Sequence, residues 1–267
     1  MRPGLTAAAA ILWTILPATL SAAPAKPAPP APSPSTNGYL AGSLPDTTAI
    51  LPPAPAAGGP RYEADRTLFR ATRRLQNGPR WKLAQTDNDQ RAIFKDLACA
   101  VGVELTPANA PRFTALAGAV LRDVSRATNT PKNVYRRKRP YLIDKGPICL
   151  PRSDGLDANP DYPSGHTAWG WTIGLILAEL APDRATPILV RARAYGESRL
   201  VCGVHNMSAV EAGRTNAAVV VAALHGVKAF RDDLDAARQE VAAARQAGPA
   251  PAAPACAAEA ALTRSVY

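Results

Sequence analysis

The sequence predicts an all-α fold, a helical bundle with one irregular segment crossing it. Three observations carry that expectation. The composition is 47% hydrophobic but only 6% aromatic, and much of the apolar part is alanine, which suits packed helices better than a β-sandwich. Apolar residues recur every three or four positions in several long windows. The chain has 267 residues, enough for one ordinary domain with a real core.

The elements follow in order. Met1–Ala25 reads as a secretory leader: Arg2 is a short positive region and Ala7–Leu20 is apolar but broken by Thr14, Pro17 and Thr19. Ala23-Pro24-Ala25 fits a cleavage site after Ala25, with cleavage after Ala22 and an uncleaved anchor as the alternatives. No later stretch reaches the ~18 consecutive apolar residues of a membrane span, so stable membrane insertion is not expected. Residues 26–38 form a Pro/Ala linker. The main domain is placed at 39–246, opening with a proline-rich arm in which Tyr39, Leu40, Leu44, Ile50 and Leu51 can be buried.

Arg61–Gln76 puts Leu68, Ala71 and Leu75 on one helical face. Pro79 opens a short helix, Asp89 caps another, and Thr106-Pro107 starts a long one through Phe113, Leu116, Val120 and Val124. Pro131 to Pro163 is expected to be irregular. Ser164–Leu180 is apolar on nearly every side and should be a buried central helix. Arg184–Leu200, Asn206–Ala223 and the charged Val227–Gln246 complete the bundle. Residues 247–267 are read as a Pro/Ala tail. In an oxidising compartment Cys99, Cys149, Cys202 and Cys256 allow three full pairings, among which sequence does not choose.

Chemistry concentrates at three places. Lys132–Pro140 reads KNVYRRKRP, and five of its nine residues are basic. The formal charge of +10 calls for an anionic partner, but the leader argues against nucleic acid. Tyr162-Pro163-Ser164-Gly165-His166 stands at the start of the central helix, where free N–H groups make an anion site. Ser198–His205 spans the next helix junction, with Gly203 as the stop. Two of the three histidines thus sit at helix starts, each with a glycine close by, and arginine or lysine clusters are available as partners. Each alone reads as structural; together they outline a phosphate site with chemistry.

These residues make the chain resemble the class A bacterial non-specific acid phosphatases, in the phosphatidic acid phosphatase type 2/haloperoxidase superfamily. The three-part signature stands here as Lys132-x6-Arg139-Pro140, Pro163-Ser164-Gly165-His166 and Ser198-Arg199-x5-His205. Similarity extends to Leu51-Pro52-Pro53, Pro79-Arg80-Trp81 and Ala212-Gly213-Arg214. The resemblance implies a metal-independent, cofactor-free phosphomonoesterase of the periplasm acting on small phosphorylated substrates, and it leaves room for a homo-oligomer. It implies that Lys132, Arg139 and Arg199, with Ser164 and the Gly165 N–H, bind the phosphoryl oxygens. His205 would be the nucleophile and His166 the general acid.

One position departs from the signature. Where an Asp is expected four residues after His205, this chain has Ala209. A neighbouring-turn carboxylate would orient the imidazole, and Ala209 cannot. Glu211 lies on the wrong face; a backbone carbonyl, Ser208 or a carboxylate from elsewhere must serve. The gap motivates an alternative, a weak or inactive phosphate- or phospholipid-binding relative; a vanadate-dependent haloperoxidase is a further one. His225 reads as structural, Trp169 and Trp171 as core, and Tyr135 and Tyr141 as entrance residues. Asp154, Asp157 and Asp161 read as an exposed acidic loop.

Overall fold

The computed structural model describes Met1 and residues 37–264. Apart from Met1 and the last two linker positions, the expected leader and linker lie outside the described residues. Backbone contacts divide the chain into Met1–Ala31 and Pro32–Tyr267, and all that follows concerns the second unit. Its described residues form helices and no strand, as the sequence predicts. In chain order these are α1 (Thr47–Ile50), α2 (Pro60–Thr72), α3 (Pro79–Thr86), α4 (Ile93–Asp96), α5 (Ala98–Val101) and α6 (Pro111–Tyr135). They continue as α7 (Asp154–Ala158), α8 (Gly165–Leu180), α9 (Ala185–Cys202), α10 (Met207–His225), α11 (Lys228–Ala247) and α12 (Ala253–Leu262). None is long and apolar enough to cross a membrane.

Helix α8 is the axis, packed against α9, α10 and α6, with α11 laid across α6. Small residues permit this closeness. A Cβ on Gly170 would collide with the Tyr195 ring of α9, and one on Gly174 with Ala192. A Cβ on Gly213 of α10 would lie 2.6 Å from the Ser164 carbonyl oxygen. With a Cβ on Gly196 of α9 falling 2.6 Å from Thr167 Cγ2, the first turn of α8 is held from both α9 and α10, and that turn carries His166.

Helix α6 differs from the expectation at both ends. It starts at Pro111 rather than Thr106, because Thr106–Asn109 closes its own turn, with Thr106 N donating to Asn109 Oδ1 at 2.8 Å. It also runs through Pro131, where irregular chain was expected, and ends at Tyr135. Proline removes the N–H that would bond the Ala127 carbonyl. Thr47 Oγ1 of α1 donates to that carbonyl instead, at 2.7 Å. The arm thus repairs the helix, and Lys132 becomes a helical residue with a fixed direction.

The arm is further pinned by Asp123 of α6, whose carboxylate accepts from the N–H groups of Tyr39 and Leu40 at 2.8 and 3.1 Å. Two disulfides select one pairing of the three, Cys99–Cys256 and Cys149–Cys202. The first holds α12, whose Glu259 reaches Arg191 at 3.3 Å. Residues beyond 247 thus include a helix fastened to the bundle.

The repair at Pro131 predicts a measurable cost. Thr47→Val, at a fully buried site, should lower stability by about 1–3 kcal/mol in urea denaturation, because the Ala127 carbonyl loses its donor. Pro131→Ala in the same chain restores a backbone donor and should recover most of that loss.

Candidate active site

One cavity of about 760 Å³ collects Lys132, Arg139, Gly165, His166, Arg199 and His205. They come from five places. Lys132 lies in the last turn of α6, Arg139 just before a 3-10 turn at Pro140, Gly165 and His166 in the first turn of α8. Arg199 lies in the last turn of α9, which Gly203 ends with a φ of 83° that favours glycine. His205 follows in the junction to α10.

His205 is buried, 3% exposed. Its Nδ1 lies 2.7 Å from the Asp161 carbonyl oxygen and 3.0 Å from Asp161 Oδ1. Two acceptors at one nitrogen place the proton on Nδ1, so Nε2 keeps its lone pair. Nε2 stands 3.3 Å from Arg139 Nη1. Burial, and then Arg139, Lys132 and Arg199, hold the imidazole pKa well below its usual value, so the ring is neutral.

Asp161 corrects the reading of an exposed acidic loop. Asp154 and Asp157 do lie on the surface helix α7, but Asp161 is 0% exposed. Its N–H donates to the Arg137 carbonyl at 2.8 Å, and its carboxylate accepts from Asn206 N at 3.0 Å and Asn206 Nδ2 at 2.8 Å. Burial raises its pKa, opposed by Arg137 and the Asn206 donors. An irregular, proline-flanked stretch looks exposed in sequence; only tertiary structure turns one of its aspartates inward.

His166 is held differently. Its Nε2 is 2.5 Å from the Asp87 carbonyl oxygen, and its ring stacks on Tyr195 at 4.6 Å. With Nε2–H committed there, Nδ1 is the nitrogen left for proton transfer. Burial first, then Arg199, depresses this pKa as well. Asp87 is locked from behind: its carboxylate accepts from Arg191 Nη2 and Ser198 Oγ, each at 2.5 Å, and Arg80 Nη1 donates to Ser198 Oγ at 2.8 Å. Ser198 and Arg80, picked out by the signature and the Pro79-Arg80-Trp81 match, therefore act behind the cavity.

The three cations are met by neutral groups. Lys132 Nζ donates to Asn159 Oδ1 at 2.5 Å and to the Pro160 carbonyl at 2.6 Å. Arg139 donates to the carbonyls of Asn159 and Val204, both at 2.7 Å. Arg199 Nη1 donates to Asn88 Oδ1 at 2.9 Å, and its buried Nε has no hydrogen-bond partner among the described residues. Burial lowers Lys132 to about 7 and Arg199 to about 10. Such cations suit a multiply charged tetrahedral oxyanion. Among the described residues no group of three or more His, Cys, Asp or Glu is placed to hold a metal ion.

Other residues fall as follows. Ser164, expected to bind the phosphoryl group, caps α8, is fully buried and does not line the cavity; its oxygen accepts from Thr167 Oγ1 at 2.9 Å, which leaves its own proton to donate. Ser208 is engaged with Asp65 and Arg137, and Glu211 pairs with Arg61 on the surface. Tyr135 and Tyr141, expected at the entrance, bond Thr48 and Asp157 instead and do not line the cavity. Trp169 is buried, yet it does line it. His225 pairs with Glu179 at 3.1 Å, away from the cavity.

An all-helical frame thus surrounds a cationic cavity that brings two imidazoles together. The sequence pattern of the PAP2 superfamily matches residues 113–232, and the chain belongs to that superfamily. It is 42% identical over 213 residues to an acid phosphatase of Zymomonas mobilis, covering 77% of this chain and 79% of that one. It is 34% identical over 195 residues to a non-specific acid phosphatase of Salmonella typhimurium, covering 72% and 78%. A third relative, the non-specific acid phosphatase of Providencia stuartii, is 35% identical over 201 residues, covering 74% and 81%.

The depressed imidazole and lysine pKa values predict coupled proton uptake. A bound oxyanion favours the charged forms of His166, His205 and Lys132, so their pKa values rise on binding. Sulfate, whose own charge does not change over this range, should therefore bind more tightly as pH falls from 8 toward 6. Calorimetry at pH 7 in buffers of different ionisation enthalpy should register uptake of protons; release would contradict the electrostatics.

Proposed function

We propose that this protein is an acid phosphatase, a phosphoric monoester hydrolase working through a phosphohistidine without a metal. The observation that carries this is the His205 tautomer: Nδ1 is committed to Asp161, and the lone pair of Nε2 faces Arg139 in the cationic cavity. The names of the relatives agree with the activity.

Lys132, Arg139 and Arg199 neutralise the phosphoryl oxygens, with donors from Ser164 and the Gly165 N–H at the start of α8. His205 Nε2 attacks phosphorus in line, the ester P–O bond breaks, and His166 gives its proton to the leaving oxygen. In the second step His166 takes a proton from water, whose oxygen attacks phosphorus; the N–P bond breaks and phosphate leaves. Fixed cations supply the charge stabilisation that phosphoryl transfer needs. A general acid with a depressed pKa is charged only at low pH, which favours acidic working conditions.

The leader pattern together with two disulfides supports export to the periplasm, an oxidising compartment. Small phosphorylated compounds are the substrate class.

The test is hydrolysis of p-nitrophenyl phosphate in excess EDTA. Activity should persist in chelator, vanadate should inhibit it, and His205→Ala should abolish it. Protein quenched in alkali should carry a phosphoryl group that is released by acid and that accumulates in His166→Ala. Loss in EDTA with return on adding a divalent metal would defeat the metal-free mechanism.

A further inference from the structure

His205 has no carboxylate partner on the first turn of α10, the helix that follows it. Ala209, four residues on, is fully buried and packs with Leu51 and Tyr162. Asp161, 44 residues upstream, lies against Nδ1 instead. We infer that Asp161 is the positioning residue of His205, its carboxylate delivered by the segment entering α8 rather than by α10. The inference rests on the phosphohistidine mechanism proposed above.

Asp161 meets Nδ1 twice, and the two contacts do different things. The carbonyl oxygen at 2.7 Å is enough to fix the tautomer. The carboxylate at 3.0 Å adds what a carbonyl lacks, a full negative charge. That charge matters once Nε2 bonds to phosphorus. The Nε2 lone pair forms the N–P bond while Nδ1 keeps its proton, so the ring becomes positive. It does so beside Arg139 and Lys132, with Arg199 and His166 on the same cavity and Arg137 behind. Asp161 is the carboxylate in contact with that ring.

The carboxylate is held for this task. Asn206 fixes both oxygens, and Arg137 Nη1 stands 3.5 Å from Oδ2. Arg137 is in turn held by Asp65 at 2.9 Å and Ser208 Oγ at 2.6 Å. The Ser164 N–H donates to the Ala209 carbonyl at 2.9 Å, tying the segment that carries Asp161 to the helix that lacks an acid.

Asp161→Asn keeps the shape and removes the charge. The orienting carboxylate of a serine-protease triad is worth ~10⁴, but here a carbonyl still fixes the tautomer, so kcat should fall about 10–100-fold. KM and the affinity for inorganic phosphate should stay within about threefold, the pattern of an interaction made only in the transition state. The acid limb of kcat/KM should move to lower pH, because the imidazole loses its anionic neighbour. Ala209→Asp added to Asp161→Ser should recover about tenfold over Asp161→Ser alone.

An Asn variant within about twofold of the parent overturns the inference, as does one that loses kcat and phosphate affinity together with the acid limb unmoved. Failure of the double variant to recover does so too when that limb is unmoved. If Asp161→Asn does not fold, ¹⁵N NMR of the unaltered protein decides. The Nδ1 proton shift of His205 is expected to move as the Asp161 carboxylate is titrated; a shift indifferent to that ionisation, which the carbonyl alone would give, overturns the inference. An active Asp161→Asn beside a dead His205→Ala sinks this inference alone, whereas an active His205→Ala sinks the phosphohistidine reading itself.

Discussion

Three buried cations without carboxylate partners impose the constraint on which the rest of the site depends. Lys132, Arg139 and Arg199 are met by Asn159, Pro160, Val204 and Asn88, all neutral acceptors. A neutral acceptor fixes direction but leaves the charge available. A carboxylate there would cancel the field and compete with a phosphoryl group. Desolvating a cation is costly, and the partial loss of the Lys132 proton near pH 7 expresses that cost. A dianion placed among these cations would offset that cost, which is why the proposed phosphate site needs no further charge.

Apart from Asp89 on the cavity wall, the acids around the site stand one layer back. Asp87 pairs with Arg191, Asp65 with Arg137, and Glu197 with Arg193, all outside the cavity lining. These buried pairs do little for net stability, because desolvation offsets their attraction. For Asp87 the use is geometric: it holds the segment whose own carbonyl meets His166 and whose Asn88 meets Arg199. Ser198 shows why the signature pairs a serine with Arg199. One turns back to Asp87 and the other forward to the cavity, so a single helical turn joins the two layers.

Much of this was legible in the chain because helix starts announce themselves. Ser164 and Gly165 before an apolar run, and Gly203 before His205, are local signals, and the histidines ride on them. Pro131 was misread because its local meaning is to end a helix; only the Thr47 hydroxyl, 80 residues away along the chain, changes that meaning. Asp161 was misread for a related reason. No periodicity marks a residue in irregular chain as buried, and its partners Arg137, His205 and Asn206 converge only in three dimensions. The absence at Ala209 was the legible half of that feature. A site with an unfilled requirement, in a chain otherwise matching its family, says that some group must fill it without saying which.

The two imidazoles are held by the same device with one difference. Each gives a ring N–H to the backbone carbonyl of an aspartate, Asp87 for His166 and Asp161 for His205. In the first case the aspartate's carboxylate turns away, to Arg191 and Ser198. In the second it turns back to the same ring nitrogen. The difference matches the proposed division of labour. A general acid must give up its proton readily, so a carboxylate beside it would hold the positive form too well. A nucleophile that becomes a positively charged phosphohistidine needs that charge opposed while the N–P bond lasts. On the proposed mechanism, one aspartate side-chain orientation separates two chemically identical rings into an acid and a nucleophile.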